Sequence, residues 1–556
     1  MCAAVGLLGP PPRACAQSLA ADLPLILDDL DAGGVIAAGV EVDPRLVPRA
    51  MVRRLALLGG EFPPPYEPTT GAELVGTVRR AWRRGGPGLL LPAQRRELAW
   101  LLARFGRQRR PVSWSSCECR EPQVHASLGG RVALWELGGG DVVAGEAGLV
   151  GRGLLATLEP DLSLWLGRFW LAVTPRLEVP LDRSGRGLAP AFGYAGWPEP
   201  TGRPGLGRAR GPAVARVAVP RAVAGAQLGG WALAAGVFPA AVGVGLDGEG
   251  LTLDHQADSV PQVLLRRTRP LAWSGWLSWF DPEHVLVRVG STSPQTISYA
   301  TPRGRQSRRA RPLLTQWLLT WDHTPWWRTT VVGTALSAAR EGHSLWPDLL
   351  QVNLPLLDAT WSEVDYGPVT DRLVSLIMEA RWREAPWPWL PSAAGRVWWE
   401  YGGEDFRPHE VLPFLPEISA PASLVGCELL DSRWDLGVEY LDTRHPRVLW
   451  YGNNGFDAGY SHAGELLGHE LGGAAAAWTA LVRWRTAAGA DEWELRGRTA
   501  GWDGARLPAT ARRREVSLRW RHLALTGSWS LGVAWLEERV DRLTDHWWQA
   551  RAARSF

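Results

Sequence analysis

The chain has 556 residues, which is long enough for several soluble domains or for one large barrel with an additional domain. Its 60 basic and 57 acidic residues give a formal net charge of +3, a balance that argues against a nucleic-acid-binding protein. The 33 Trp residues exceed the 10 Phe and 8 Tyr combined. Trp gathers at membrane–water interfaces because its ring is apolar while its N–H stays hydrated, but a tryptophan-rich soluble protein has the same composition.

The opening residues, 1–16, are predicted to be the remnant of a signal peptide. Ala14-Cys15-Ala16 has the small-x-small form of a signal-peptidase site. Pro10-Pro11-Pro12 interrupts the short apolar stretch that precedes it. On the cleavage-site pattern, we nevertheless expect an exported protein whose mature chain begins near residue 17.

Residues 17–115 are predicted to form a small helical domain. Apolar residues recur at helical spacing from Leu19 to Leu30, and the pattern ends at Gly33-Gly34. A second helix is expected over residues 44–58, because Gly59-Gly60 follows. A third is expected over residues 92–105, which begin with a proline in the first turn.

Residues 222–246 form the longest uncharged stretch of the chain. Several glycines and Pro239 oppose a membrane-spanning helix in this stretch, and two short strands around a turn fit its composition better. If the chain lies in a membrane, it must therefore cross as a closed barrel, since lipid offers backbone groups no other way to form hydrogen bonds.

After about residue 120, apolar and charged residues alternate with a period of two, which predicts half-buried strands. In residues 477–485, for example, Trp484 stands between Arg483 and Arg485. The same alternation occurs in residues 376–383, 433–440, 492–498 and 515–521. These segments predict a mainly β architecture for the larger part of the chain.

Alternation alone does not say whether the charged faces meet solvent, as in a soluble sandwich, or line a lumen, as in an outer-membrane barrel. Three observations favour the barrel: Trp is frequent near strand ends, Arg mixes with Glu and Asp on the charged faces, and the chain ends in Phe556. Residues 116–556 are therefore predicted to form a large transmembrane antiparallel β-barrel. The residues after position 120 accommodate on the order of 16 to 20 spanning strands.

Five segments follow one another in the order found in a known family: residues 22–36, 151–173, 245–267, 400–405 and 439–469. In the second, a pair of strands is expected around Pro160. The last contains Glu439-Tyr440-Leu441-Asp442-Thr443, followed by a loop that runs from Gly459-Tyr460 to Gly468-His469. These segments resemble the Wzi capsule-assembly family, with its E-Y-x-D-T strand and its G-Y-x-x-x-G-x-x-x-G-H loop.

The resemblance implies a barrel of about 18 strands in the cell outer membrane, with a small helical domain on the periplasmic side. It also implies a non-enzymatic surface lectin that binds capsular polysaccharide, helps assemble or anchor it, and needs no cofactor. The implied partners are capsular polysaccharide, outer-membrane lipid and lipopolysaccharide, and the capsule export machinery, but not nucleic acid. Rings pack on sugar C–H faces and carboxylates or amides bind hydroxyls, so the residues expected to bind polysaccharide are Glu404, Asp405, Glu439, Asp442, Tyr451, Asn454, Tyr460, His462 and His469.

Other functions remain as alternatives. The five cysteines contain no CxxC pair, and His469-Glu470 is not followed by a second His at helical spacing, so a metal site is not indicated. Glu404 with Asp405, or Glu439 with Asp442, could act as paired glycosidase carboxylates. A porin with the same barrel and an open lumen is the second alternative. The arginines between residues 303 and 311 could suggest nucleic acid, but a solvated loop that touches lipopolysaccharide phosphates is the preferred interpretation.

Overall fold

A computed structural model describes one short helix and the greater part of the predicted barrel. The described residues are 49–58, 62, 66–67, 124–138, 153–166, 169–181, 215–228, 230–246, 248–253, 259–267, 282–301, 304–340, 369–383, 394–404, 406–408, 416–418, 420–431, 433–446, 448, 450–452, 455–457, 459–462, 465–486, 490–502, 511–524, 527–540 and 543–555. The predicted helices before residue 44 and over residues 92–105, the family-like segment 22–36 and Phe556 lie outside them.

Eighteen of the described strands form a closed barrel. In chain order they are β1 Val124–Gly138, β2 Gly153–Leu166, β3 Phe169–Pro180, β4 Arg216–Leu228, β5 Trp231–Phe238, β6 Val260–Arg267, β7 His284–Ser291, β8 Leu313–Thr324, β9 Trp327–Ala338, β10 Val369–Trp382, β11 Ala394–Glu404, β12 Pro421–Leu430, β13 Trp434–Asp442, β14 Ala475–Arg485, β15 Asp491–Trp502, β16 Ala511–Ala524, β17 Gly527–Val540 and β18 Leu543–Ser555. The strand count confirms the predicted barrel.

Each strand pairs antiparallel with the next in sequence, and the circle closes where Arg131 of β1 faces Ser555 of β18. Closure leaves no unpaired sheet edge, which is what a sheet within lipid requires. Most short turns, such as those after Leu166, Thr324 and Ala524, lie at one end of the barrel, and most longer connections lie at the other; the long connection after Arg267 and the short one after Val540 are exceptions. We call these the short-turn end and the long-connection end.

The apolar faces of the strands point outward, and this answers the question that alternation left open. In β14, Trp478 and Trp484 are 56% and 49% exposed, whereas Arg483 and Arg485 are each 1% exposed. Such an exterior fits lipid and not water, and a charged interior is typical of an outer-membrane barrel. The protein is therefore an outer-membrane β-barrel whose charged side chains line its interior.

The expected division into two strands around Pro160 is wrong. β2 continues through Pro160 to Leu166, and the turn follows there. Pairing of β2 with β3 is interrupted between the pairs Leu158–Leu177 and Leu162–Val173, so the missing N–H of Pro160 falls where that ladder has a gap. A proline is tolerated in a strand where the ladder does not require its N–H.

Two other predictions are refined. The uncharged stretch 222–246 contains part of β4, a turn at Gly230, and β5, as expected for two strands around a turn. The second predicted helix is present as α1, Arg49–Leu58. This described helix is neither long nor apolar enough to cross a membrane.

The connection between β5 and β6 enters the barrel instead of leaving it. We call residues 241–253 the lumen segment. Val244 and Leu246 pack in one buried cluster with the inward-facing Trp398 of β11 and Leu481 of β14. The Leu246 side chain lies against Gly437 of β13, where a β-carbon would collide with it. A small residue in the wall thus makes room for the segment.

Helix α1 contacts the lumen segment and the barrel wall. The guanidinium of Arg53 donates to the carbonyl of Gly245 at 2.9 Å and pairs with Glu428 of β12 at 3.0 Å. Arg54, 1% exposed, pairs with Asp435 and, at 2.8 Å, with Glu492. Asp435 is the second residue of β13 and lies near the short-turn end, so the helix meets the lumen segment within the barrel.

Candidate functional site

The long-connection end of the barrel is covered by a layer of folded loops. It consists of the described parts of residues 443–474 and a hairpin formed by Gln295–Thr301 and Gly304–Ala310, and we call it the mouth layer. The two parts are joined where Ile297 bridges Phe456 and where the amide of Ser298 donates to the carbonyl of Gly455 at 2.8 Å. The arginine tract predicted as a solvated loop is thus one strand of this hairpin.

Thr443, the last residue of the E-Y-x-D-T segment, closes the base of the 443–474 loop. Its hydroxyl donates to the carbonyl of Gly472 at 2.9 Å and accepts from the amide of Ala475 at 3.0 Å. Its own amide donates to the carbonyl of Ala475 at 2.8 Å. The segment therefore serves to bring both ends of a long loop together.

Tyr451 is the buried centre of the mouth layer. Its amide donates to the Glu404 carboxylate, and its hydroxyl donates to the carbonyl of Leu251 in the lumen segment at 2.6 Å. The amide of His469 donates to the same hydroxyl at 3.1 Å. The ring stacks on that of Tyr460 with centroids 6.1 Å apart. Tyr451 thus joins three segments that are distant in sequence.

Gly468 explains why the loop motif places a glycine before His469. A β-carbon at this position would collide with the ring of Tyr451, so only glycine lets the chain pass so close. Gly459, before Tyr460, has a φ of 54°, a conformation that glycine adopts without strain. Gly468 is therefore required by the packing against Tyr451, and Gly459 is favoured by its backbone conformation.

Glu249 of the lumen segment lies at the centre of a buried charge cluster. Its carboxylate is contacted by Arg496 at 2.9 Å, Arg498 at 3.0 Å and the Nε2 of His469 at 3.3 Å. Burial alone would raise the pKa of Glu249, but Arg498, Arg496 and His469 hold that pKa well below its usual range. Arg498 also pairs with Glu470 of the mouth layer.

Glu439 faces the same interior. It is 3% exposed, and its carboxylate accepts the amide of Leu246 at 2.9 Å. Asp442, three residues later, lies on the other face of β13, with its side chain 30% exposed and paired with Arg444 at 2.7 Å. The two carboxylates therefore point away from each other, and they do not form the opposed pair that a glycosidase needs.

The structure gathers most of the predicted polysaccharide-binding residues at one end of the barrel but buries five of them. Glu404, Glu439, Tyr451, Tyr460 and His469 are each no more than 5% exposed. Asp442 and His462 are partly exposed, and the Nδ1 of His462 accepts the amide of Ser293 at 3.0 Å. Asp405 and Asn454 lie outside the described residues.

An aromatic and charged patch surrounds Asp442. The Tyr440 hydroxyl donates to Asp442 at 2.9 Å, and its ring lies 4.7 Å from that of Trp478, centroid to centroid. Arg444 completes the patch, with its side chain 39% exposed. The carboxylate and the guanidinium present an acceptor and donors for sugar hydroxyl groups.

The sequence did not point to Glu249, Arg53 or Arg54 as residues of interest. The only local signal for Glu249 is its position, with Asp247, in a glycine-rich stretch. Within the described residues, no group of three or more His, Cys, Asp or Glu side chains is placed to hold a metal ion.

Comparison with known proteins rests on structure alone. No protein-family model and no curated protein sequence matches the chain. Among solved structures, OprD of Pseudomonas aeruginosa is 8% identical with a TM-score of 0.45, and covers 80% of this chain and 99% of its own. Wzi of Escherichia coli has a TM-score of 0.58 at 15% identity, over 94% of this chain and 99% of its own. Wzi is an outer-membrane protein involved in group 1 capsule assembly and is described as a carbohydrate-binding β-barrel. The chain thus has a Wzi-like 18-strand barrel fold.

Proposed function

We propose that this protein belongs with the Wzi capsule-assembly proteins, binds a capsular or extracellular polysaccharide, and helps assemble or anchor it at the cell surface. The observation that carries the proposal is the way in which the lumen is occupied. The lumen segment reaches from the wall at Trp398 and Leu481 to Arg53 of helix α1, and Tyr451 holds the mouth layer on top of it. An interior filled in this way favours a binding protein over a porin.

The buried members of the predicted site have a supporting part in this proposal. Tyr451, Glu404 and His469 hold the mouth layer and the lumen segment together, so that the outer surface is rigid before a ligand arrives. A rigid surface loses less conformational entropy on binding. The contacts with sugar are proposed to come from the partly exposed Asp442 and His462, together with Asp405 and Asn454.

The patch at Asp442 fits a sugar in its chemistry. Asp442 and Arg444, at the end of β13, offer an acceptor and donors for hydroxyl groups, whereas the neighbouring Trp478 lies on the outward face that meets lipid. We propose no catalytic step, because Glu439 and Asp442 lie on opposite faces of β13.

The N-terminal residues extend the proposal to the other side of the membrane. Residues 1–16 are proposed to be a signal remnant and residues 17–115 a periplasmic domain that faces the capsule export machinery. Helix α1 pairs with Glu428, Asp435 and Glu492 near the short-turn end of the barrel, which supports a periplasmic position for these residues.

Deletion of the gene with staining of the polysaccharide tests the anchoring role. We expect polysaccharide to be released into the medium by the deletion strain and retained again when the wild-type gene is restored. Restoration with D442N should retain less than restoration with E537Q, a matched carboxylate change at an exposed pair on β17. Polysaccharide that stays cell-bound in the deletion strain would refute the proposal.

Conductance tests the alternative directly. The protein reconstituted in a planar bilayer should be silent if the lumen stays filled. A large and steady current from the wild-type protein would favour a porin.

A further inference from the structure

The outward face of the mouth-layer hairpin carries a row of arginines. Antiparallel pairing sets Thr296 opposite Arg309, Ser298 opposite Ser307, and Ala300 opposite Arg305. Because cross-strand partners share a face, Arg305, Ser307 and Arg309 point to the same side. All three are exposed, and so is Arg311, which follows the strand. The preferred interpretation of this tract from the sequence is a solvated loop that touches lipopolysaccharide phosphates.

The opposite face of the hairpin fixes its orientation. Ile297 and Tyr299 are 0% and 6% exposed and belong to the buried cluster that contains Leu251 and Tyr451. The hairpin therefore lies over the mouth of the barrel, and its arginine face points away from the mouth. Lipopolysaccharide surrounds the outer wall of a barrel, whereas a polymer above the mouth meets this face directly.

The arginine face is held rigidly. Its first strand is flanked on one side by the second strand and on the other by residues 455–457 of the mouth layer. The amide of Asp457 donates to the carbonyl of Thr296 at 3.0 Å, and the Asp457 carboxylate accepts the amide of Thr296 at 2.9 Å. The Ser298 and Ser307 hydroxyls bond to each other at 2.8 Å. A surface fixed in this way can bind without first ordering a loop.

We infer that the face formed by Arg305, Ser307, Arg309 and Arg311 binds an acidic polysaccharide, a polymer with carboxylates along its length. This inference rests on the proposed function and names the class of its ligand. Arg305 and Arg309 are four strand residues apart, which sets their α-carbons about 13 Å from each other. A planar guanidinium donates two parallel hydrogen bonds to a carboxylate. The serine hydroxyl groups between the arginines can form hydrogen bonds with sugar hydroxyl groups.

The test compares charged polymers with uncharged ones. Wild-type protein in lipid nanodiscs is titrated with polygalacturonate, with dextran of matched length, and with the strain's own surface polysaccharide before and after chemical reduction of its carboxyl groups. Binding to polygalacturonate and to the native polysaccharide should weaken as salt is added, because exposed ion pairs are screened. Binding to dextran and to the reduced polysaccharide should be much weaker.

The variant R305Q/R309Q/R311Q should bind polygalacturonate on the order of tenfold more weakly and lose most of the salt dependence. The lysine variant R305K/R309K/R311K should keep part of the affinity, since it keeps charge but loses the planar fork. R514Q, which changes an arginine 71% exposed on β16, is the matched control and should bind as the wild type does. Heat-modifiable migration confirms that each variant is folded.

The outcomes separate the two proposals. Three results would show that the arginine face is not the site for an acidic polymer, while the proposed polysaccharide binding would stand. The triple glutamine variant could bind polygalacturonate as the wild type does, or lose binding to lipopolysaccharide micelles alone. Alternatively, reduction of the carboxyl groups could leave binding of the native polysaccharide intact. If wild-type protein binds neither the native polysaccharide nor polygalacturonate, both this inference and the proposed function are wrong.

Discussion

Replacing Glu249 by Gln should release the lumen segment while the barrel remains closed. The substitution leaves Arg496 and Arg498, at 2.9 and 3.0 Å, without the carboxylate that both contact. Removal of one partner from a buried ion pair costs about 3 to 5 kcal/mol. At about 1.4 kcal/mol for each tenfold change, the equilibrium between docked and released segment shifts roughly a hundredfold to several thousandfold.

Hydrogen exchange measures this shift at individual amides. In the wild-type protein the amide of Leu246 donates to Glu439 at 2.9 Å, and that of Leu251 donates to Glu400 at 3.1 Å. Both should exchange faster in E249Q by the factor given above, while amides in the barrel ladder keep their protection. Conductance in a planar bilayer should appear in the same variant.

The control is E537Q, in which a partly exposed carboxylate 3.9 Å from the exposed Arg514 is replaced. Exposed pairs contribute about 0 to 1 kcal/mol, so neither exchange at Leu246 nor conductance should change. If E249Q leaves Leu246 and Leu251 as protected as in the wild type, the lumen segment is not held by this cluster and our reasoning is wrong.

Three further predictions concern pH, the mouth layer and the exterior. The pKa of Glu249 is lower in the folded state than its unfolded value of about 4.3. The Glu249 carboxylate therefore stabilises the docked lumen segment fully above that value, and the stabilisation is lost as pH falls below it, so hydrogen exchange at Leu246 should accelerate progressively in acid. Faster exchange at neutral pH would contradict this direction of the pH dependence. Y451F should lower the stability of the mouth layer by about 1 to 3 kcal/mol, since the carbonyl of Leu251 loses its donor, and protease resistance of residues 443–474 would show it. V482R sets a charge at an outward position that is 41% exposed in β14, and should cost about 2 to 4 kcal/mol in folding into lipid vesicles if that position lies near the bilayer midplane. An unchanged denaturant midpoint for V482R would mean that this face does not meet lipid.

The barrel could be predicted because each strand carries its own signal. The alternation of Trp484 with Arg483 and Arg485 needs no knowledge of the rest of the chain, and the structure sets them on opposite faces as expected. To decide which face of each strand meets lipid, one must also know that the strands form a closed barrel. Pro160 misled the prediction because the gap in its ladder depends on pairing with β3, which a single segment does not reveal.

The interior could not be predicted from local patterns. Glu249 meets Arg498 across 249 positions of sequence, and Arg54 meets Glu492 across 438. No periodicity relates residues so far apart. The motif around Tyr451 was found by resemblance, but motif similarity does not distinguish a ring that touches a ligand from a ring that holds a loop, and the full burial of Tyr451 assigns it the second task.

The position of helix α1 inside a ring that closes only between β1 and β18 imposes an order on assembly. Residues 53 and 54 are synthesised early, but their partners Glu428, Asp435 and Glu492 belong to strands that are made much later. Contacts of such long sequence separation form slowly, because a large loop must be closed before they contribute. Arg53 and Arg54 therefore have none of these three carboxylates as partners until β12 to β15 have formed. Docking of the helix therefore depends on β12, β13 and β15, so that an N-terminal helix and strands of the second half of the barrel stabilise one another.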